Sequence, residues 1–196
     1  MKSVFNFMVK PKVSRSSSKK EIDGKELLLN TEVQNHQYTS RLGVVTALPI
    51  ASATEINVGD EVILHHNVFR RFRDIRGNEK NSKSYYNEDN FFAQPDQIYA
   101  YKRKLEWQCV EGFCFIKPIA SKDNISLEKE EPLKGIVKYS YNDTYKNDLV
   151  GFAPSSEYEF NIEGERLYRV PLQRITIKYE YQGDEKEYNP SWSQSS

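Results

Sequence analysis

The 196-residue chain has two cysteines, three histidines, little proline and no excess of either charge sign, and each shortage removes a class of function. Two thiols cannot build a disulfide framework. Cys109 and Cys114 are five positions apart, and in one strand an odd separation places side chains on opposite faces. They read as core-sized apolar residues of a reducing compartment, placed neither to bridge nor to share a metal. His65 and His66 are neighbours, which in a strand also means opposite faces, and His36 lies in a polar stretch. No metal site is expected. Lys plus Arg equals Asp plus Glu at 28 each, so no overall field favours nucleic acid or an anionic membrane as partner. No apolar run approaches the roughly 20 residues of a membrane span, and the first residues lack the apolar core and cleavage site of a signal peptide. There is no phosphate-cradling glycine loop, no nucleophile elbow and no His-Glu-x-x-His. Catalytic residues: none; cofactors: none. A soluble, cytoplasmic, non-enzymatic protein is expected.

What the chain has is period-two patterning. Val4–Val9, Glu61–Leu64, Gln97–Tyr101, Gly112–Ile116 and Arg174–Tyr179 all read as strands, rich in the Tyr and Phe that suit half-buried sheet. No segment carries a capped helical stripe. The fold class expected is all-β, with a small barrel in each half.

The chain also repeats itself. Met8-Val9-Lys10-Pro11 returns as Phe115-Ile116-Lys117-Pro118, and Gly43-Val44-Val45 as Gly135-Ile136-Val137. Asp60-Glu61-Val62-Ile63-Leu64 returns as Asp148-Leu149-Val150-Gly151-Phe152. A closing Pro-x-Gln-x-apolar-x-apolar-Lys is read at Pro95, Gln97, Tyr99, Tyr101 and Lys102, then at Pro171, Gln173, Ile175, Ile177 and Lys178. Landmarks in the same order twice mean a tandem duplication. The expected domains are 1–104 and 105–182, each small for a single core, followed by a flexible tail over 183–196.

Because the copies can be overlaid, their differences locate what has been added. The first copy carries a longer loop, about 14–40, between Pro11 and Gly43 than the second has between Pro118 and Gly135. It opens with the polar Ser14-Arg15-Ser16-Ser17-Ser18-Lys19-Lys20 and continues into Gly24-Lys25-Glu26-Leu27-Leu28-Leu29. Three leucines in a polar loop that cannot repay its own ordering read as a segment that orders on a partner. A second insertion, about 70–90, reads as an extended hairpin or surface loop. Its Phe69-Arg70-Arg71-Phe72-Arg73-Asp74-Ile75-Arg76 mixes basic and aromatic residues as single-strand binders do, but with zero net charge it reads as a solvated strand face.

Val58-Gly59-Asp60-Glu61-Val62-Ile63-Leu64 resembles the Val-Gly-Asp strand of GroES-like co-chaperonins. The order around it is similar too: a strand ending in Val-Lys, a long loop with an apolar tripeptide, Gly-x-Val, and a late Asp96-Gln97-Ile98-Tyr99-Ala100 segment. The second copy resembles the family over Lys134–Val137, Asn147–Val150 and Ile162–Val170, so the likeness spans about residues 4 to 182. It implies two tandem GroES-like small β-barrels per chain. It implies a ring-forming homo-oligomer, heptameric in that family, capping a chaperonin ring in the presence of nucleotide and so assisting ATP-dependent folding. The chaperonin-binding residues it implies are Leu27, Leu28 and Leu29, with Gly24 allowing the turn before them. The second copy's Ser121–Pro132 loop is short and acidic and lacks a tripeptide. The tandem form is atypical of bacterial members and suits a plastid or a phage, whose protein would work in the host cytoplasm. The alternative reading is a β-barrel structural or adaptor module, for example of a virion, that keeps the fold without the chaperonin.

Overall fold

A computed structural model describes residues 2–13, 15, 19–22, 25–28, 39–122, 129–180, 183 and 185–195; over 19–22, 25–28 and 194–195 it describes the backbone alone. The chain divides into two compact units, Met1–Glu106 and Trp107–Ser196. The described residues are all-β, with antiparallel sheets and short 3-10 turns but no α-helix.

In the first unit the strands are β1 (Phe7–Pro11), β2 (Lys19–Ile22), β3 (Lys25–Leu28), β4 (Leu42–Ala47), β5 (Glu61–Leu64), β6 (Arg71–Arg73), β7 (Glu79–Asn81), β8 (Tyr85–Asn87), β9 (Asn90–Ala93) and β10 (Ile98–Arg103). Six of them form a sheet in the order β10-β5-β4-β1-β9-β8, while β2-β3 and β6-β7 stand as separate two-stranded pairs. β11 (Glu106–Cys109) follows at the division between units. The second unit holds β12 (Phe113–Ala120), β13 (Glu130–Ser140), β14 (Leu149–Phe152), β15 (Tyr158–Ile162), β16 (Glu165–Pro171) and β17 (Ile175–Tyr179). Their order is β17-β14-β13-β12-β16-β15.

The two orders are the same once β12 is set on β1, β13 on β4 and β14 on β5. The registers agree as well. Pro11 faces Gly43 and Lys10 faces Val44, as Pro118 faces Gly135 and Lys117 faces Ile136. Each ladder is interrupted at the same place, between Met8 and Val9 and between Phe115 and Ile116. A side-chain period of two makes register an all-or-none matter wherever a face is buried. Agreement of both register and bulge is therefore a stronger likeness than strand count.

Register also corrects one alignment made from sequence. Ile98 pairs with Leu64 and Ile175 with Phe152, so the last strands match with Ile98 on Ile175. The 3-10 turns before them, Pro95–Gln97 and Leu172–Arg174, then put Pro171 at the position of Gln94. The closing prolines are not equivalent. Both residues fit an extended position ahead of a tight turn, and a shared residue type one place apart misled the reading.

The cores gather on strands read from the alternation, but β5, β10 and β14 are buried on both faces and β17 is mostly exposed. In the second unit Cys114, Ile116, Val137, Val150, Phe152 and Val170 pack together on one side, and Ile119, Ile136 and Leu149 on the other. In the first unit Val9, Val62, Leu64, Phe69, Phe91 and Ile98 are fully buried, with Phe69 and Phe91 edge to face at 5.0 Å between ring centres. Val4 and Phe5, expected in the opening strand, lie before β1 and are exposed.

The tail, expected to be flexible, makes contacts within the second unit. Ala120 N–H donates to Lys186 O (2.7 Å) and Tyr188 N–H to Pro118 O (2.9 Å), so residues 186–188 add to the edge of β12. Asn189 then bonds the β15–β16 turn, its Nδ2 donating to Gly164 O (3.0 Å) and its Oδ1 accepting from Arg166 N–H (3.1 Å). Ser193 is wholly buried. Polar residues of the tail are here spent on backbone groups of β12 and of the β15–β16 turn.

Candidate partner-binding segments

The first unit carries two additions relative to the second, and each contains a separate two-stranded antiparallel pair. The longer one grows from the β1–β4 ladder. Lys12 N–H donates to Leu42 O and Ser40 N–H to Arg15 O, each at 3.0 Å, so the pairing continues beyond the strands themselves. Arg15 fastens this root. Its guanidinium donates to Phe69 O (3.3 Å) and sits over the rings of Phe91 (4.7 Å) and Tyr85 (5.6 Å). Burial, with Arg71 beside it, lowers its pKa. Nothing in the polar run around Arg15 marks it out; the partners of its side chain are more than 50 positions away.

Beyond the root, β2 and β3 pair antiparallel, Lys19 facing Leu28, Lys20 facing Leu27 and Ile22 facing Lys25. Two of the residues expected to bind a chaperonin, Leu27 and Leu28, therefore belong to a paired strand rather than to an open loop. Gly24 and Leu29 lie outside the described residues. The pair between the strands in sequence is Asp23-Gly24, the strongest short-range hairpin signal there is, and it could have been read in advance.

The second addition is β6–β7, with Arg71 facing Asn81, Phe72 facing Lys80 and Arg73 facing Glu79. Asp74 organises its tip. The Asp74 Oδ1 accepts from Arg76 N–H and Asn78 N–H, both at 2.9 Å, while Asp74 N–H donates to Asn78 O and Gly77 N–H to Asp74 O. The Asn78 amide above all holds this carboxyl below the usual range. Gly77, at φ +80°, makes the turn that an L side chain would strain. Ile75 projects from the tip fully exposed. At the base Ser82 Oγ donates to Val68 O (2.8 Å). In the second unit only residues 153–157 join the equivalent strands.

Other groups singled out in sequence are differently placed from expectation. β5 ends at Leu64, so His65 and His66 are not on a strand, and their rings stack at 4.3 Å. The His65 Nδ1 accepts from Asn67 N–H (3.1 Å). Cys109 and Cys114 lie on two strands, β11 and β12, separated by a turn at Gly112 (φ +86°), so the one-strand argument for opposite faces does not apply. Both are buried free thiols, and burial pushes Cys114 up to about 12 and Cys109 well up.

A cleft of about 460 Å³ in the second unit is lined by Glu130, Glu131, Lys134, Phe152, Arg166 and Tyr168 among others. Its charged groups answer one another. Arg166 donates to Glu130 Oε2 (2.9 Å) and Glu159 Oε2 (3.0 Å), and Tyr168 O–H donates to Glu130 Oε1 (2.6 Å). Burial and this bond push the Tyr168 hydroxyl far above its ordinary value. The network braces β13 against β15 and β16. Among the described residues no cluster of three or more His, Cys, Asp or Glu is placed to hold a metal, and no helix is long and apolar enough to cross a membrane.

Neither the models of protein families nor the curated proteins provide a match to this chain.

Proposed function

We propose that the chain is a GroES-like co-chaperonin in tandem form, whose Leu27-Leu28-Leu29 segment enters an apolar groove of a chaperonin while the ATP chemistry belongs to that partner. The observation that carries this reading is the repeated sheet: one strand order, register and bulge twice over, with the leucine-bearing β2–β3 pair between β1 and β4 of the first unit. An extended apolar segment in a groove is a common mode of peptide recognition. Several weak contacts on one ring gain strength through effective concentration, and each remains weak enough to release. The second unit, without such a segment, adds height or ring contacts. No enzymatic step is assigned to the chain.

Co-sedimentation with the chaperonin of its own host, with and without ATP, tests the reading. Nucleotide-dependent capture is the expected result, lost in Leu28→Asp while the circular dichroism spectrum and the oligomer mass stay as in the wild type. Capture that Leu28→Asp leaves unchanged would sink the assignment of the segment, and no capture with any nucleotide would sink the co-chaperonin. The pairing of Leu27 and Leu28 within β2–β3 favours a second reading, a structural or adaptor module of this fold. Amide exchange over residues 19–29 separates the two. A co-chaperonin gains protection there only on meeting its chaperonin; an adaptor keeps the same protection throughout.

A further inference from the structure

Zero net charge is a property of the whole chain, and the β6–β7 hairpin departs from it. Residues 70–83 hold Arg70, Arg71, Arg73, Arg76, Lys80 and Lys83 against two carboxylates, Asp74 and Glu79. Both carboxylates are already engaged. Asp74 accepts the tip amides, and Glu79 pairs with Arg71 at 2.8 Å. The net positive charge sits on a ribbon that, among the described residues, pairs with no other strand and has a preorganised turn at its end.

Two partner chemistries meet such an arm: an acidic protein surface or a phosphodiester backbone. A standard protein interface takes roughly 800 Å² per side from about 20–30 residues, more than this hairpin has. A polyanion needs no such area, because its affinity comes from counterions released by the cations that neutralise it. The rest of the hairpin agrees with the second. Ile75, fully exposed at the tip between Asp74 and Arg76, is the kind of aliphatic side chain that bending proteins press between base steps. The equivalent connection in the second unit has neither the ribbon nor the cations.

We propose that the β6–β7 hairpin is a nucleic-acid-binding arm, its cations on the phosphates and Ile75 against the bases. The test uses the full chain and three fluorescein-labelled probes of one sequence, duplex DNA, single-stranded DNA and single-stranded RNA, with polyglutamate as the acidic-peptide competitor. Anisotropy titrations between about 50 and 200 mM salt should show binding whose log–log salt slope is about −3 to −4, as expected for about four excess cations. Arg76→Glu with Lys83→Glu, both exposed, should weaken binding roughly tenfold or more and flatten the slope. Ile75→Gly should weaken it with the slope unchanged. The proposal is overturned by no binding at the lowest salt, by affinity indifferent to the double charge reversal in a protein whose melting is unaltered, or by polyglutamate competing as well as nucleic acid.

Discussion

Gly43 and Gly135 occupy the same place in the two ladders for the same reason. A Cβ on Gly43 would stand 2.9 Å from Leu64 Cδ1 and 3.1 Å from Lys10 O; on Gly135 it would stand 2.6 Å from Ile116 Cγ2 and closer still to Lys117 O. Neither glycine is there for an unusual backbone angle; each lets the crossing strand approach. Gly135→Ala is therefore expected to cost about 1–3 kcal/mol by overpacking, and Gly43→Ala less, because a side-chain methyl yields more readily than a backbone carbonyl. Urea denaturation of the two variants checks the order. Tyr168 gives a second prediction. Its hydroxyl is a donor to Glu130 only while protonated, and its folded pKa is raised. The contribution is thus complete below the unfolded value of about 10 and lost as pH rises beyond it. Tyr168→Phe should cost about 1 kcal/mol at neutral pH. The gap between the two urea midpoints should close as pH climbs above that value, and a gap that widened would refute the donor role.

An isolated two-stranded hairpin is marginal in water, so each added hairpin needs help from its ends. For β6–β7 the help at the tip is Asp74. Asp74→Ala should leave the melting of the whole chain nearly unmoved while the amides of Arg76, Gly77 and Asn78 exchange faster by hydrogen–deuterium measurement. Protection unchanged in that variant would mean that the base, through Ser82 and Val68, is enough by itself. The insertion over 70–90 was legible as an extended hairpin, since Gly and Asn punctuate it. Its capping residue was not, because an Asp in a charged run looks like any other solvated carboxylate until the turn is known. The same limit applies to Arg15, whose π partners Tyr85 and Phe91 come from another part of the chain.

Across the whole molecule, the repeat allows each unit to be judged against the other. Where they agree, in β1, β4, β5 and their counterparts, the residues serve the sheet. Where they differ, at β2–β3 and β6–β7, the added strands lie outside the sheet order that the two units share. Leu28→Asp and the Arg76→Glu, Lys83→Glu pair act on different hairpins of the same unit. Loss of chaperonin capture in one and of nucleic-acid binding in the other, each without the opposite effect, is the expected whole-molecule result. Paired co-sedimentation and anisotropy measurements on both variants provide the check.

Sequence by itself determined the all-β class, the place of several strands and the landmarks of the repeat, because period-two alternation and ordered landmarks are local properties of the chain. It also located both insertions, by length difference alone. Only the tertiary structure decided the rest. A register offset of one residue moved the closing prolines out of equivalence. A turn at Gly112 put the two cysteines on separate strands, the end of β5 freed His65 and His66 to stack, and a sheet edge with unpaired backbone groups captured the tail. Each of these depends on which distant strand lies alongside, and the free energy of that choice is shared among residues that no local pattern connects.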